Sequence, residues 1–116
     1  MVNLKKSFEE EAISNNDILR HVVVGVDDRL SYEDQKKSTA NGNFPVESWE
    51  TASAKLDYLY DSGFGGADCH AVIAWGDTHI YYVAEYDGST YICSLPKSPI
   101  DCIPGYGYYK RANGRK

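Results

Sequence analysis

The sequence predicts an α+β domain: a mainly antiparallel four-stranded sheet with one main helix packed on one face. Three observations carry this. Residues 69–95, CHAVIAWGDTHIYYVAEYDGSTYICSL, read as three short strands joined by tight turns. Residues 18–26, ILRHVVVGV, are dense in β-branched side chains and read as a fourth strand. Between residues 46 and 60, Val46, Trp49, Ala52, Ser53, Leu56, Leu59 and Tyr60 recur at helical spacing.

The meander is the best-defined part. A type I′ turn needs two residues at positive φ, and Asp87-Gly88 supplies them cheaply. A two-residue loop there pairs Tyr86 with Ser89, Ala84 with Tyr91, Tyr82 with Cys93 and Ile80 with Leu95. The earlier turn, Gly76-Asp77-Thr78, is less defined, but either two-residue loop gives the same faces. Side chains alternate along a strand. One face therefore carries Cys69, Ala71, Ile73, Trp75, Ile80, Tyr82, Ala84, Tyr91, Cys93 and Leu95, and it is expected to be the core face. The other carries His70, Val72, Ala74, His79, Tyr81, Val83, Glu85, Thr90, Ile92 and Ser94, and it is mixed.

In chain order, Ser7 and Glu10 match capping-box spacing and predict a short helix from Ser7 to Ser14. Its Glu9-Glu10-Glu11 run suits the positive helix start. Asn15-Asn16-Asp17 breaks the chain before the first strand, where Gly25 marks a bulge or a close backbone approach. Residues 27–44 are polar, with Ser31 and Asp34 placed to cap one or two helical turns. Pro45 suits the first turn of the main helix, 46–60, whose Val46, Trp49, Leu56 and Leu59 are expected on Ile73, Ile80, Tyr82 and Leu95. Gly63 is a natural stop. After Leu95 the chain should wrap the body as coil, with one short strand near Tyr106–Tyr109.

The 116 residues suit one domain over residues 1–109, followed by a basic tail, 110–116. A hydrophobic content of 42% fits a folded chain. No apolar run approaches the roughly 20 residues of a membrane span. The first residues, MVNLKKSFEEEA, lack the apolar centre of a signal peptide, so a cytoplasmic protein is expected. Cys69 and Cys93 would lie two strands apart, about 9–10 Å, too far for a disulfide. All three cysteines are therefore expected as free thiols. The formal charge is −5; without Lys110, Arg111, Arg115 and Lys116, 8 basic residues face 17 acids, so residues 1–109 carry −9. Such a body repels nucleic acid and suits a basic partner, or serves solubility alone.

No sequence motif announces a reaction. Gly63, Gly65 and Gly66 lead into a strand without a Gly-Lys-Ser/Thr signature, so they read as helix stop and turn rather than a phosphate loop. His70 and Glu85 share the second face. They could form a general-base pair, but read more simply as a cross-strand polar pair. Alternation sends Cys69 and His70 to opposite faces, which argues against a Cys–His dyad. No spacing suggests a metal, and no cofactor is expected. Tyr81, Val83 and Ile92 are too apolar for a solvated face, so the chain's own coil or a partner must cover them. Phe64, in its Gly-rich loop, either tucks into the core or projects as a contact anchor.

The run LDYLYDSGFGG, then VIAW, then AEYDGSTYICSLPKSP, over roughly residues 56–99, resembles small accessory proteins encoded by phages and prophages. The resemblance implies a mobile-element origin, where small acidic proteins block host defences such as restriction or CRISPR complexes; the setting would then be the host cytoplasm. The expected function is a stoichiometric inhibitor of a larger basic nucleic-acid-binding protein or complex. Its contact residues would be Asp61, Phe64, Tyr81, Val83, Glu85, Asp87 and Ile92, without direct nucleic-acid or membrane contact. An immunity protein against a toxin, and a small enzyme using His70 and Glu85, are the alternatives. The sequence leaves room for a homodimer.

Overall fold

The computed structural model describes residues 1–63, 65, 68–106 and 108–111. The chain begins with β1 (Val2–Asn3) and the helix α1 (Leu4–Ser14). Asn3 caps α1, its side chain accepting from the Lys6 N–H at 3.0 Å. Ser7, expected as the cap, sits inside the helix and donates to the Asn3 carbonyl instead. The expected strand appears as β2 (Leu19–Asp27). Ser31 then caps α2 (Tyr32–Asn41), accepting from the Asp34 N–H at 3.2 Å. The cap was legible, but the helix runs longer than the expected one or two turns.

The 46–60 stretch departs most from expectation. It splits into β3 (Glu47–Ser48), α3 (Trp49–Ala52), one 3-10 turn (Ser53–Leu56) and β4 (Leu59–Tyr60). Ser48 caps α3 through the Thr51 N–H at 3.2 Å, so the helix starts after Pro45 and Val46 rather than at them. Val46 and Leu59, assigned to the buried stripe, are 64% and 60% exposed. Trp49, Ala52 and Leu56 are buried as expected. The helix expected to be minor, α1, is the longest.

The meander forms as read: β5 (His70–Gly76), β6 (His79–Tyr86) and β7 (Ser89–Pro96). The β6–β7 register is the predicted one, from Tyr86 opposite Ser89 to Ile80 opposite Leu95. Asp87 and Gly88 have φ of 52° and 83°, as a type I′ turn demands. The sheet has five antiparallel strands, in the order β3-β2-β5-β6-β7, because β3 adds to the far edge of β2. Two small ribbons complete the fold: β1 with β4, and β8 (Cys102–Pro104) with β9 (Tyr109–Arg111). The strand expected near Tyr106–Tyr109 is thus β9, displaced toward the C-terminus, and it takes in Lys110 and Arg111, which composition had assigned to the tail.

The core lies on the opposite side of the sheet from the one expected. Val22, Val72, Ala74 and Tyr81 are buried with Leu4, Phe8 and Ala12 of α1, and with Trp49, Ala52, Leu56 and Tyr60. Phe8 and Trp49 meet with ring centroids 5.9 Å apart. On the expected core face, Ile73 is 45% exposed, Leu95 44% and Tyr91 36%. Ala74 is buried in this core, and Gly76 leaves room for the Asp17 carboxylate. The polar residues of that face are given partners. The Tyr81 hydroxyl donates to Asp17 at 2.7 Å, and Asn15 donates to Ser94 Oγ at 3.0 Å. His79 Nε2 and the Tyr109 hydroxyl lie 3.1 Å apart.

Asp17 ties three elements together. Its carboxylate accepts from the N–H groups of Ile18, Asp77, Thr78 and His79 as well as from Tyr81. Burial alone would raise this carboxyl, but the hydrogen bonds outweigh it and hold it below its ordinary value. This explains the ill-defined first turn. Asp77-Thr78 needs no residue at positive φ because a distant side chain caps it.

Candidate functional site

With α1 and α3 on one side, strand alternation turns Val23, Ile73, Trp75, Ile80, Tyr82, Tyr91 and Leu95 toward the other. These are large apolar side chains on neighbouring strands, and several remain substantially exposed. Together they form an apolar patch on the open face. It runs into a groove of about 620 Å³ between Tyr82 and Leu95 and the chain that follows β7. Pro96, Pro99, Ile100, Pro104 and Tyr108 form the groove's far wall. Rigid prolines and aromatic rings lose little entropy on contact, which suits a binding surface.

One end of the sheet is acidic. Glu85 sits opposite Thr90, whose N–H donates to the Ser62 carbonyl at 2.9 Å, bringing the 61–63 segment beside the Asp87-Gly88 turn. The Asp61 N–H donates to Asp68, and Asp28 is held to the Cys69 carbonyl just before β5. Asp61, Glu85 and Asp87 are all exposed here. Asp27 is engaged instead, in a bidentate pair with Arg29 at 2.7–3.1 Å.

His70 lies at the same end, lining a cavity of about 270 Å³ together with Glu85, Asp28, Gln35 and Cys69. Its immediate partners are others. The Tyr58 hydroxyl lies 2.7 Å from Nδ1 and accepts the His70 backbone N–H at 2.9 Å. Nε2 faces Asp27 at 3.9 Å, and Arg29 stacks 4.1 Å above the Tyr58 ring. Burial pushes the imidazole below its ordinary value, Arg29 and Lys55 push the same way, and Asp27 opposes them. The two ring nitrogens thus face Tyr58 and Asp27 rather than Glu85. The geometry is that of a cross-strand polar cluster.

The expected contact residues divide. Asp61, Glu85 and Asp87 come together on the surface. Tyr81 is fully buried, and Val83 and Ile92 pack against the core from the helix side. The anchors were therefore assigned to the wrong face, because the chain's own α1 and α3 cover the second face. Phe64 lies outside the described residues. The open-face anchors Ile73, Tyr82, Tyr91 and Leu95 were missed as contacts because they were read as core.

All three cysteines are free, as the strand spacing indicated, with Cys69 and Cys93 buried and Cys102 exposed. Burial, with acidic neighbours, raises the Cys69 thiol to about 11. No described helix is long and apolar enough to cross a membrane. No family model, curated protein or solved structure matches the chain.

Proposed function

We propose that this chain is a stoichiometric protein-binding inhibitor that docks through the open face of its sheet on a basic, nucleic-acid-handling partner. The observation that carries this is the apolar face of Ile73, Tyr82, Tyr91 and Leu95, on a sheet whose Asp87-Gly88 end carries the exposed carboxylates of Asp61, Glu85 and Asp87. Apolar anchors hold a complex, and surrounding charge speeds encounter and selects partners of opposite sign. A net charge of −9 over residues 1–109 favours a partner whose own ligand is nucleic acid. The resemblance of residues 56–99 to phage accessory proteins gives that partner a class, a host defence complex of the restriction or CRISPR kind.

The test is capture of a partner from host lysate, followed by titration. Ile73→Ser with Leu95→Ser should weaken binding tenfold or more while leaving the fold intact. Charge reversal at Asp61, Glu85 and Asp87 should slow association and flatten its salt dependence, since exposed charges are screened over about 10 Å at 0.1 M salt. Reversal at Glu9, Glu33 and Glu50, on the helices, should do less. Nucleic acid should compete with the chain for the partner. Undiminished binding by the Ile73/Leu95 variant would sink the docking face, and a partner that holds both ligands at once would sink the inhibitory mechanism.

A further inference from the structure

β7 is the last strand of the sheet, so one side of its backbone faces away from any ladder. The hairpin fixes which groups those are. Tyr86 and Ser89 close the Asp87-Gly88 turn. From there the main-chain groups alternate: those of Ser89, Tyr91 and Cys93 face β6, and those of Thr90, Ile92 and Ser94 face outward. Thr90 obeys this rule, its N–H donating to the Ser62 carbonyl. Ile92 and Ser94 have no strand beside them among the described residues.

Among the described residues, the chain closes this edge at Thr90 and flanks it beside Ser94. Ser62 closes one end, and Tyr108 and Tyr109 stand at the other. Between them, α1 and β7 bound a cleft of about 360 Å³. Its helix wall presents Ser7, Glu10, Glu11 and Ser14, and its strand wall Thr90 and Ile92. The Ser94 hydroxyl, one step further along, already donates to Glu11 at 3.4 Å. Thr90 faces the helix side and is 3% exposed, and its hydroxyl oxygen is buried without a hydrogen-bond partner among the described residues. Buried hydroxyls are normally satisfied, so this one stands out in the cleft wall.

We propose that the Thr90–Ser94 edge of β7 is a strand-addition site for a short extended segment of a partner protein. Three or four residues fit, at about 3.3 Å each. Their main chain would bond Ile92 and Ser94. Alternation decides the side chains. Those pointing to the helix side meet Glu10 and Glu11 and are lysine or arginine. Those pointing the other way lie beside Tyr91 and are apolar. The site is on the sheet's edge and shares only Tyr91 with the docking face proposed above, so variants at Ile73 and Leu95 separate the two.

The probe is an acetylated, amidated heptapeptide of alternating valine and lysine, titrated into the ¹⁵N-labelled full chain. The Ile92 and Ser94 amide resonances should shift most, and their hydrogen exchange should slow at least fivefold. Glu10→Gln should weaken the peptide about threefold. Thr90→Val should weaken it by a similar factor while leaving the thermal midpoint unchanged or higher, since it removes an unpaired hydroxyl. A peptide with proline at its centre should bind at least tenfold more weakly, because proline cannot donate to a ladder. Ile73→Ser with Leu95→Ser, which removes two of the open-face anchors, should leave peptide binding as it is. The proposal is overturned if the peptide does not bind, if its largest shifts fall on Ile73, Tyr82 and Leu95, or if the proline or an alternating valine–glutamate peptide binds as well. Shifts at Ile92 and Ser94 that grow with protein concentration alone would also overturn it, in favour of a second copy.

Discussion

The two faces of this sheet are both apolar, and only one is closed. The closed face carries Val22, Val72, Ala74, Gly76 and Tyr81. The open face carries Ile73, Trp75, Ile80, Tyr82, Tyr91 and Leu95. By apolar bulk alone, the open face should have won the helices. It did not, because a helix packs where side chains are small enough to let it approach and where polar groups can be satisfied. The closed face meets the second condition through the bonds that Asp17, Asn15 and Tyr109 make to Tyr81, Ser94 and His79, and Gly76 leaves room for the Asp17 carboxylate. Hydrophobicity identified the sheet, and satisfied polar groups mark its inside.

The sharpest way to break this comparison is to truncate one side chain on each face. Phe8→Ala or Trp49→Ala removes a buried ring and should cost about 3–5 kcal/mol. Ile73→Ala, on the open face, should cost less than about 1 kcal/mol, because much of that side chain is already in water. Urea unfolding of the three variants decides it. A cost at Ile73 equal to that at Phe8 would mean the open face is closed in solution, by a second copy or another segment.

Gly76→Ala probes the crowding on the closed side. A Cβ there would overlap the Asp17 carboxylate and must push it off the Asp77-Thr78 turn. The expected loss is about 1–3 kcal/mol, read from the same unfolding curves. Gly76→Ala with no loss would show that Asp17 is not the turn's cap.

A smaller effect is expected from pH. His70 and His79 both belong to the closed face, and burial lowers both below their ordinary 6.5. The unfolded chain therefore binds protons more readily than the folded one, and stability rises with pH. That stability is complete above about 6.5 and is lost as pH falls below it through the folded values. Asp17 and Asp27, also lowered, add a second loss below their ordinary 3.8. The urea midpoint should fall between pH 7.5 and 5, and His79→Gln should flatten that fall. A midpoint that rises on acidification would contradict the burial of both rings.

The smallest perturbation is chemical. A thiol reagent at neutral pH should modify Cys102 quickly, and Cys69 only at the rate of unfolding, since the thiol is both buried and held at about 11. Mass spectrometry against time would check this order, and early labelling of Cys69 would place an opening in the closed side.

What was legible follows the range of the forces involved. The β6–β7 register was readable because a two-residue turn sets it locally, and Asp87-Gly88 permits little else. The Ser31 cap was readable for the same reason. The sidedness of the sheet was not, because it depends on α1, nearly 60 residues before β5. The 46–60 helix failed because its apolar spacing satisfied a helical stripe while Ser48 set a later start. Tyr58 was then drawn to His70, and Leu59–Tyr60 into pairing with β1. Tyr81 misled for a related reason: its hydroxyl suggested a surface, but Asp17 and Asn15 satisfy it inside.

The pairing of β2 with β5 also sets a schedule for synthesis. β2 is complete at Asp27, and its neighbour begins only at His70. At roughly 5–20 residues per second, the ribosome leaves β2 waiting about 2–9 s for that neighbour. Glu47–Ser48 arrives earlier, on the opposite edge, and α3, which packs on β2, follows directly after it at Trp49–Ala52. The N-terminal half can thus shelter one edge and one face of its most apolar strand before the meander exists. The edge reserved for β5 stays bare for the whole interval, and a nascent chain is most exposed to mispairing there.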